Sequence, residues 1–315
     1  PKNDAAIFAL AIASTIKEGR EAAYVALPHI CRTGMHLFQF TAAVEAVRGW
    51  GRGVRRAVGE WYTTKDPQSL AYQLIKYRQR EGWTHRDVLR LTHPKVVDPQ
   101  INNLLRWVVG KAEGSSHALV DAYLLAQEMT GPKDIVKLLE DVPALPWEAL
   151  PTDALKHKDV WGALLPNLPM TALIRNLGRM TANGALAPLS DGARFVQKRL
   201  TDEGALKKAR VHPIALLSAL RVYSKGVGVK GSLTWTPVST ITDALEEAFY
   251  LSFETLEPSG KRTLLALDVS GSMSWGDIAG VPGLTPREAS AAMAMVTARR
   301  EPEHVFAAFS HQLVG

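Results

Sequence analysis

Asp268-Val269-Ser270-Gly271-Ser272 gathers one carboxylate and two hydroxyls within five residues, directly after the apolar run Thr263-Leu264-Leu265-Ala266-Leu267. A short apolar run of this kind reads as a strand covered on both faces. The carboxyl edge of such a strand is where open α/β sheets bind ligands. Hard oxygen donors at Asp268, Ser270 and Ser272 suit Mg²⁺ or another divalent cation, and leave coordination positions for water or a ligand. Gly271 lets the loop turn tightly. A plainer alternative has Asp268 capping the following turn, with the serines as ordinary loop residues.

Three groups of basic residues form the other chemical candidate. Lys76, Arg80, His85, Arg86, Arg90 and His93 fall within eighteen residues, offset only by Glu81 and Asp87. Lys76 and Arg80 are four apart, which on a helix places them on one face, where like charges cost a few tenths of a kcal/mol. Phosphate neutralisation explains why such a strip would be kept; a merely solvated face is the bland alternative. Arg175, Asn176 and Arg179 make the second group, with Gly178 allowing close backbone approach. Here a base-reading site competes evenly with helix packing at Gly178. Lys207, Lys208, Arg210 and His212 make the third, a phosphate clamp or a solvated face.

Other chemistry is poorly represented. Cys31 and His36 have no second Cys–His pair to complete a zinc site, and Ser270 has no evident histidine partner or nucleophile elbow. There is no phosphate-binding loop or dinucleotide fingerprint. His304 and His311 flank an apolar run without an obvious role. Trp50, Trp61, Trp83, Trp107 and Trp161 fall at helix ends or on apolar faces, as core anchors do.

The elements that must position these groups are mostly helices. Residues 66–81 show the pattern, with Leu70, Leu74 and Tyr77 recurring at three- to four-residue spacing. Similar segments fill residues 5–255. Asp66-Pro67, His93-Pro94, Asp98-Pro99, Gly131-Pro132, His212-Pro213 and Thr236-Pro237 punctuate them, and Ser69, Thr84, Ser190 and Ser239 suit caps or first turns. Many short helices with brief connectors predict stacked pairs in a solenoid of degenerate repeats. Texture changes at residues 257–262. A strand, a helix near 285–300 led by Thr285-Pro286, and a second apolar strand over 304–310 then read as the start of a Rossmann-like α/β domain. The expected division is a helical domain over 1–256 and a partial α/β domain over 257–315.

The chain has 315 residues, 46% of them hydrophobic and 22% charged, with a net charge of +6. A normal core is possible and disorder is not expected. A pI near 9.4 points to an anionic partner only where the charge is clustered. One cysteine permits no internal disulfide, and no apolar run approaches the ~20 residues of a membrane span. No membrane association and a cytoplasmic location are the expectation.

The residues also carry a family resemblance. The stretches 35–38, 50–52, 75–93, 169–183, 207–213 and 258–262 resemble, in one consistent order, the Ro RNA-binding proteins (Ro autoantigens). Their TROVE module is a ring of HEAT-like helical repeats closed by a von Willebrand factor A-type domain. The 268–272 segment is similar to the metal-ion-dependent adhesion site of those A-type domains and covers three of its usual five ligand positions. The resemblance implies a non-catalytic protein that binds Y RNA or a Y-like RNA on its outer basic face, with Lys76, Arg80 and His93 as the positional matches. It further implies that misfolded non-coding RNAs enter the central hole by their single-stranded 3′ ends, with Arg175, Asn176 and Arg179 on its wall. Small-RNA quality control is the expected role, with a 3′→5′ exoribonuclease such as polynucleotide phosphorylase as a partner. A Mg²⁺-dependent protein-interaction module is the alternative.

Overall fold

The computed structural model describes residues 3–278, 281 and 283–314. The chain divides between Leu155 and Lys156 into two compact units.

In the first unit the helices are α1 (Asp4–Ala13), α2 (Arg20–Ile30), α3 (Gly34–Val47), α4 (Arg52–Thr63) and α5 (Pro67–Lys76). A two-stranded hairpin, β1 (Gln79–Arg80) and β2 (Trp83–Thr84), follows, then α6 (His85–Thr92), α7 (Pro99–Val108), α8 (Ala118–Glu128) and α9 (Pro132–Asp141). Proline opens three of these helices, where its missing N–H and fixed φ cost nothing. Asp66 caps α5 by accepting from the Ser69 amide, and Asp98 caps α7 by accepting from the Gln100 and Ile101 amides. Thr84 and Asp87 close a reciprocal capping box on α6. Each helix buries one stripe, and second neighbours pack together: α1 on α3, α2 on α4, α4 on α6, α5 on α7. That alternation is what stacked helix pairs produce.

The expected helix over 66–81 ends early. Glu81 and Gly82 both have positive φ, 53° and 77°, the geometry of a tight two-residue hairpin turn. Arg80 therefore lies on β1, paired with Trp83, and does not share a helix face with Lys76.

The second unit holds α10 (Lys158–Leu164), α11 (Met170–Ala182), α12 (Asp191–Leu200), α13 (Glu203–Ala209), α14 (Pro213–Lys225) and α15 (Ser239–Leu251). After them come β3 (Thr263–Asp268), α16 (Pro286–Arg300), β4 (His304–Phe309) and β5 (Leu313–Val314). The sheet order is β3-β4-β5, with β3 and β4 parallel in the register Thr263↔His304 and β5 antiparallel to β4. The sheet thus belongs to the same compact unit as α10–α15.

Burial of the sheet differs from expectation. α16 packs on β3, yet Leu264 is 67% and Val305 65% exposed. The apolar run forms a strand as its composition dictates, but within this chain it is not covered on both faces.

Helix α16 is fastened at each end by charged residues. Glu288 completes a capping box with Thr285 and also pairs with Arg221 of α14. At the other end Arg300 pairs with Glu254 and donates to the Leu256 carbonyl at 2.8 Å. The neighbouring Glu301 accepts from the Ser259 and Gly260 amides at 2.6 and 3.1 Å. Hydrogen bonds, the Ser259 amide foremost, hold its carboxyl below the usual range. The 257–262 linker is therefore pinned to the end of α16.

Close packing also explains Gly178 of α11. A Cβ there would meet the Trp235 ring at 2.7 Å. That ring stacks on Tyr223 with centroids 6.0 Å apart and donates its Nε1–H to the Tyr223 carbonyl. Gly178→Ala should cost about 1–3 kcal/mol through overpacking, measured as a lower urea midpoint at unchanged slope. An unchanged midpoint would refute the fit.

Candidate nucleic-acid interface

The first basic group splits into buried and exposed members. His85 opens α6 but points into the core and is only 3% exposed. Its Nδ1 lies 2.8 Å from the Tyr62 hydroxyl, and its ring packs against Phe38 and Trp61. Burial pushes the imidazole down to about 3, so it is neutral near pH 7. As an RNA contact His85 is thus corrected to a core residue.

Lys76 is also committed. Its Nζ donates to the Tyr72 hydroxyl at 2.9 Å and sits 3.8 Å from Glu148 Oε1, with the lysine side chain 15% exposed. Burial alone would lower its pKa, but the Tyr72 hydrogen bond and the Glu148 charge outweigh it and raise it. A lysine already neutralised by a neighbouring carboxylate offers little to phosphate. Glu148 lies too far along the sequence for spacing to reveal it.

What remains is open. Arg80 on β1, Arg86 and Arg90 four apart on α6, and His93 at the end of α6 are all exposed. Of the two acids among them, Asp87 is used by the capping box and Glu81 is exposed in the hairpin turn. Arg78, stacked 5.1 Å over Tyr123, and Lys95 extend the exposed set. Both lie in or beside the basic run, where charge alone would have marked them.

On α11, Arg175 and Arg179 are exposed one turn apart. Asn176 is corrected: it is buried, and its Nδ2 donates to the Ala172 carbonyl at 2.9 Å, which leaves no free edge to read a base. Gly178 serves packing against Trp235. Lys207, Lys208 and Arg210 are exposed around the end of α13, where Arg210 takes a left-handed φ of 49°. His212 caps α14, its Nδ1 accepting from the Ile214 amide at 3.2 Å. Among the tryptophans, Trp61 and Trp161 are fully buried, while Trp50 and Trp83 form a half-buried tilted pair 5.7 Å apart.

The 268–272 loop stands at the carboxyl end of β3. Asp268 Oδ1 accepts from the Ser270 amide at 2.9 Å, and the Ser270 and Ser272 hydroxyl oxygens are 3.0 Å apart. Hydrogen bonds from Ser270 hold the Asp268 carboxyl below its usual range. Arg287 of α16 donates to the Val269 and Ser270 carbonyls at 3.4 and 3.3 Å, which engages the backbone oxygens of the loop. An ionised carboxylate with two neighbouring hydroxyls fits a hard cation as a partial donor set. Among the described residues no group of three or more His, Cys, Asp or Glu side chains could hold a metal. No helix among them is long and apolar enough to cross a membrane.

A stacked helical array joined to a strand–loop–helix–strand unit with an Asp-x-Ser-x-Ser loop defines a TROVE-type protein with a vWA-type segment. The TROVE domain matches residues 1–117 and 143–221, and the Ro60 vWA domain matches residues 262–315. The chain belongs to the Ro60 family. It is 42% identical to the RNA-binding protein RO60 of Deinococcus radiodurans over 99% of its own length and 60% of that protein. It is 38% identical to the RNA-binding protein RO60 of Caenorhabditis elegans over 91% of this chain and 53% of that one. The crystal structure of the Deinococcus radiodurans RO (RSR) protein superposes with a TM-score of 0.83 at 42% identity, covering 99% of this chain and 64% of that one. The chain therefore spans somewhat more than half the length of these relatives.

Because His85 is neutral when folded and protonates more readily when unfolded, stability falls as pH drops below about 6.5. His85 should cost about 2 kcal/mol of stability between pH 7 and pH 5. His36 and His212, lowered first by burial, act in the same direction. The comparison with His85→Gln isolates the contribution: the variant's unfolding free energy should depend less steeply on pH. Parallel profiles would mean that His85 titrates alike in the folded and unfolded chain, against its burial.

Proposed function

We propose that this chain is a non-catalytic RNA-binding protein that holds a structured non-coding RNA, Y RNA or a Y-like RNA, on the exposed face formed by Arg80, Arg86, Arg90 and His93. The observation that carries this reading is the pairing of charges within that face. Of its two acids Asp87 is engaged in a helix cap and Glu81 alone is exposed, whereas three arginines project to solvent. Phosphates supply most of the affinity in such an interface. The names of the Deinococcus and Caenorhabditis relatives support RNA binding itself.

Single-stranded 3′ ends of misfolded RNAs would be held by the second basic surface, with Arg175 and Arg179 of α11 and Lys207, Lys208 and Arg210 near α13. The protein would then act in the cytoplasm as a scaffold or chaperone in small-RNA quality control, delivering RNA to a 3′→5′ exoribonuclease such as polynucleotide phosphorylase. Replacing Arg80, Arg86 and Arg90 with alanine should weaken stem-loop RNA binding at least about tenfold. It should also make the salt dependence shallower by up to about 2.7 in log–log slope, at about 0.9 for each phosphate no longer neutralised. The melting temperature should hold. Affinity that is flat with salt in the wild type would defeat the electrostatic reading.

The 268–272 loop supports a second, compatible role as a Mg²⁺-dependent protein-interaction site. Asp268, Ser270 and Ser272 would hold the cation, which would present a free position to a partner's carboxylate. Mg²⁺ should raise the melting temperature of the wild type and leave that of Asp268→Ala unchanged. Equal responses would place any bound metal elsewhere.

A further inference from the structure

Two long stretches, residues 160–190 and 204–242, contain no aspartate or glutamate. The first holds α11. The second holds most of α13, all of α14 and the segment leading into α15. α11 packs against both α13 and α14, so the fold brings the two acid-free stretches together. Arg221 is paired with Glu288; Arg175, Arg179, Lys225 and Lys230 are exposed.

The segment joining α14 to α15 is a small hairpin. Val227 bridges Thr234, the Gly228 amide donates to the Leu233 carbonyl at 2.9 Å, and the Trp235 amide donates to the Gly226 carbonyl at 2.9 Å. Its base is rigid, because Trp235 is seated on Gly178 and stacked on Tyr223. Tyr223 is held in turn by hydrogen bonds to Thr181 and the Val238 amide. Exposed aliphatic side chains run along it: Val227, Val229 and Leu233 are 42%, 47% and 39% exposed, with Lys230 at the turn and Lys225 at the end of α14. Aliphatic side chains in such a loop gain nothing from water, and a rigid base removes most of the entropic cost of presenting them.

We propose that this hairpin is an RNA-contacting element specific for single-stranded RNA. Lys225 and Lys230 lie along its phosphates, and Val227, Val229 and Leu233 pack on its bases. Charge complementarity chooses the occupant, since the two packed stretches expose Arg175, Arg179, Lys225 and Lys230 and hold no acid of their own, which suits a polyanion. The exposed aliphatic side chains choose the strandedness, because base faces are open to side chains only where the bases are unpaired. The inference deepens the RNA-binding reading and rests on it.

The test uses the full chain and three labelled RNAs: a stem-loop with a single-stranded 3′ tail, the same stem-loop blunt-ended, and the tail alone. One variant combines Lys225→Ala with Lys230→Ala, and the other Val229→Ser with Leu233→Ser. All four positions are exposed, and thermal melting checks the fold. The lysine pair should flatten the salt dependence for the tail by about 1.4, at about 0.7 for each phosphate no longer neutralised. The aliphatic pair should weaken the tailed RNA roughly tenfold at unchanged salt slope, within what burying one aliphatic side chain supplies. Neither should alter binding of the blunt stem-loop. Unchanged affinity for tail and tailed RNA in both variants would overturn the hairpin's role while leaving the RNA-binding reading intact. So would equal losses on the blunt stem-loop, or binding of an acidic protein at the hairpin with no effect on RNA. A wild type that binds none of the three RNAs would overturn both.

Discussion

No helix among the described residues is long enough to hold itself together, and that constraint organises everything else. The helices run from 7 to 15 residues, lengths at which isolated helices are marginal in water. Each therefore depends on burying a stripe against its neighbours, and in the first unit those neighbours are two places away in sequence as well as adjacent. The stripe uses one face. The faces left over carry the arginines, free of the packing that engages Lys76 and His85.

This division of faces explains how much can be read from the sequence. The Pro-led helix starts, the Thr84 cap, the strands after residue 262 and the parallel strand–helix–strand order follow from local chemistry. They are legible because proline, cap and period act within a few residues. The hairpin after Lys76 is hidden by an amphipathic pattern that continues past it; only Gly82 marks the turn. His85 escapes because a histidine flanked by arginines looks exposed, whereas helix phase turns it onto the side of Val88 and Leu89. Lys76 keeps its charge but loses its freedom to Glu148, a partner invisible to any local pattern. Asn176 is buried by the same phase effect on α11.

In the second unit, ionic contacts supplement packing. The sheet has α16 against β3, and its outer residues remain exposed. Its attachment to the helices relies on Arg221–Glu288 at one end of α16 and Arg300–Glu254 at the other. Apolar contacts of Val281, Leu284 and Ala289 with Leu217 and Val222 of α14 add to it. Arg287, next to Glu288, reaches the 268–272 loop. The Asp-x-Ser-x-Ser loop and α14 are thus joined through two consecutive side chains, Arg287 and Glu288.

The parallel register of β3 and β4 also sets an order of assembly. Thr263 meets His304 only after the whole intervening segment, α16 included, has been brought back along the sheet. Loop closure must come before that ladder gives any return, and pairings of this kind are slow to form. The loop at the edge of β3 is therefore set in place only with the closing of that ladder.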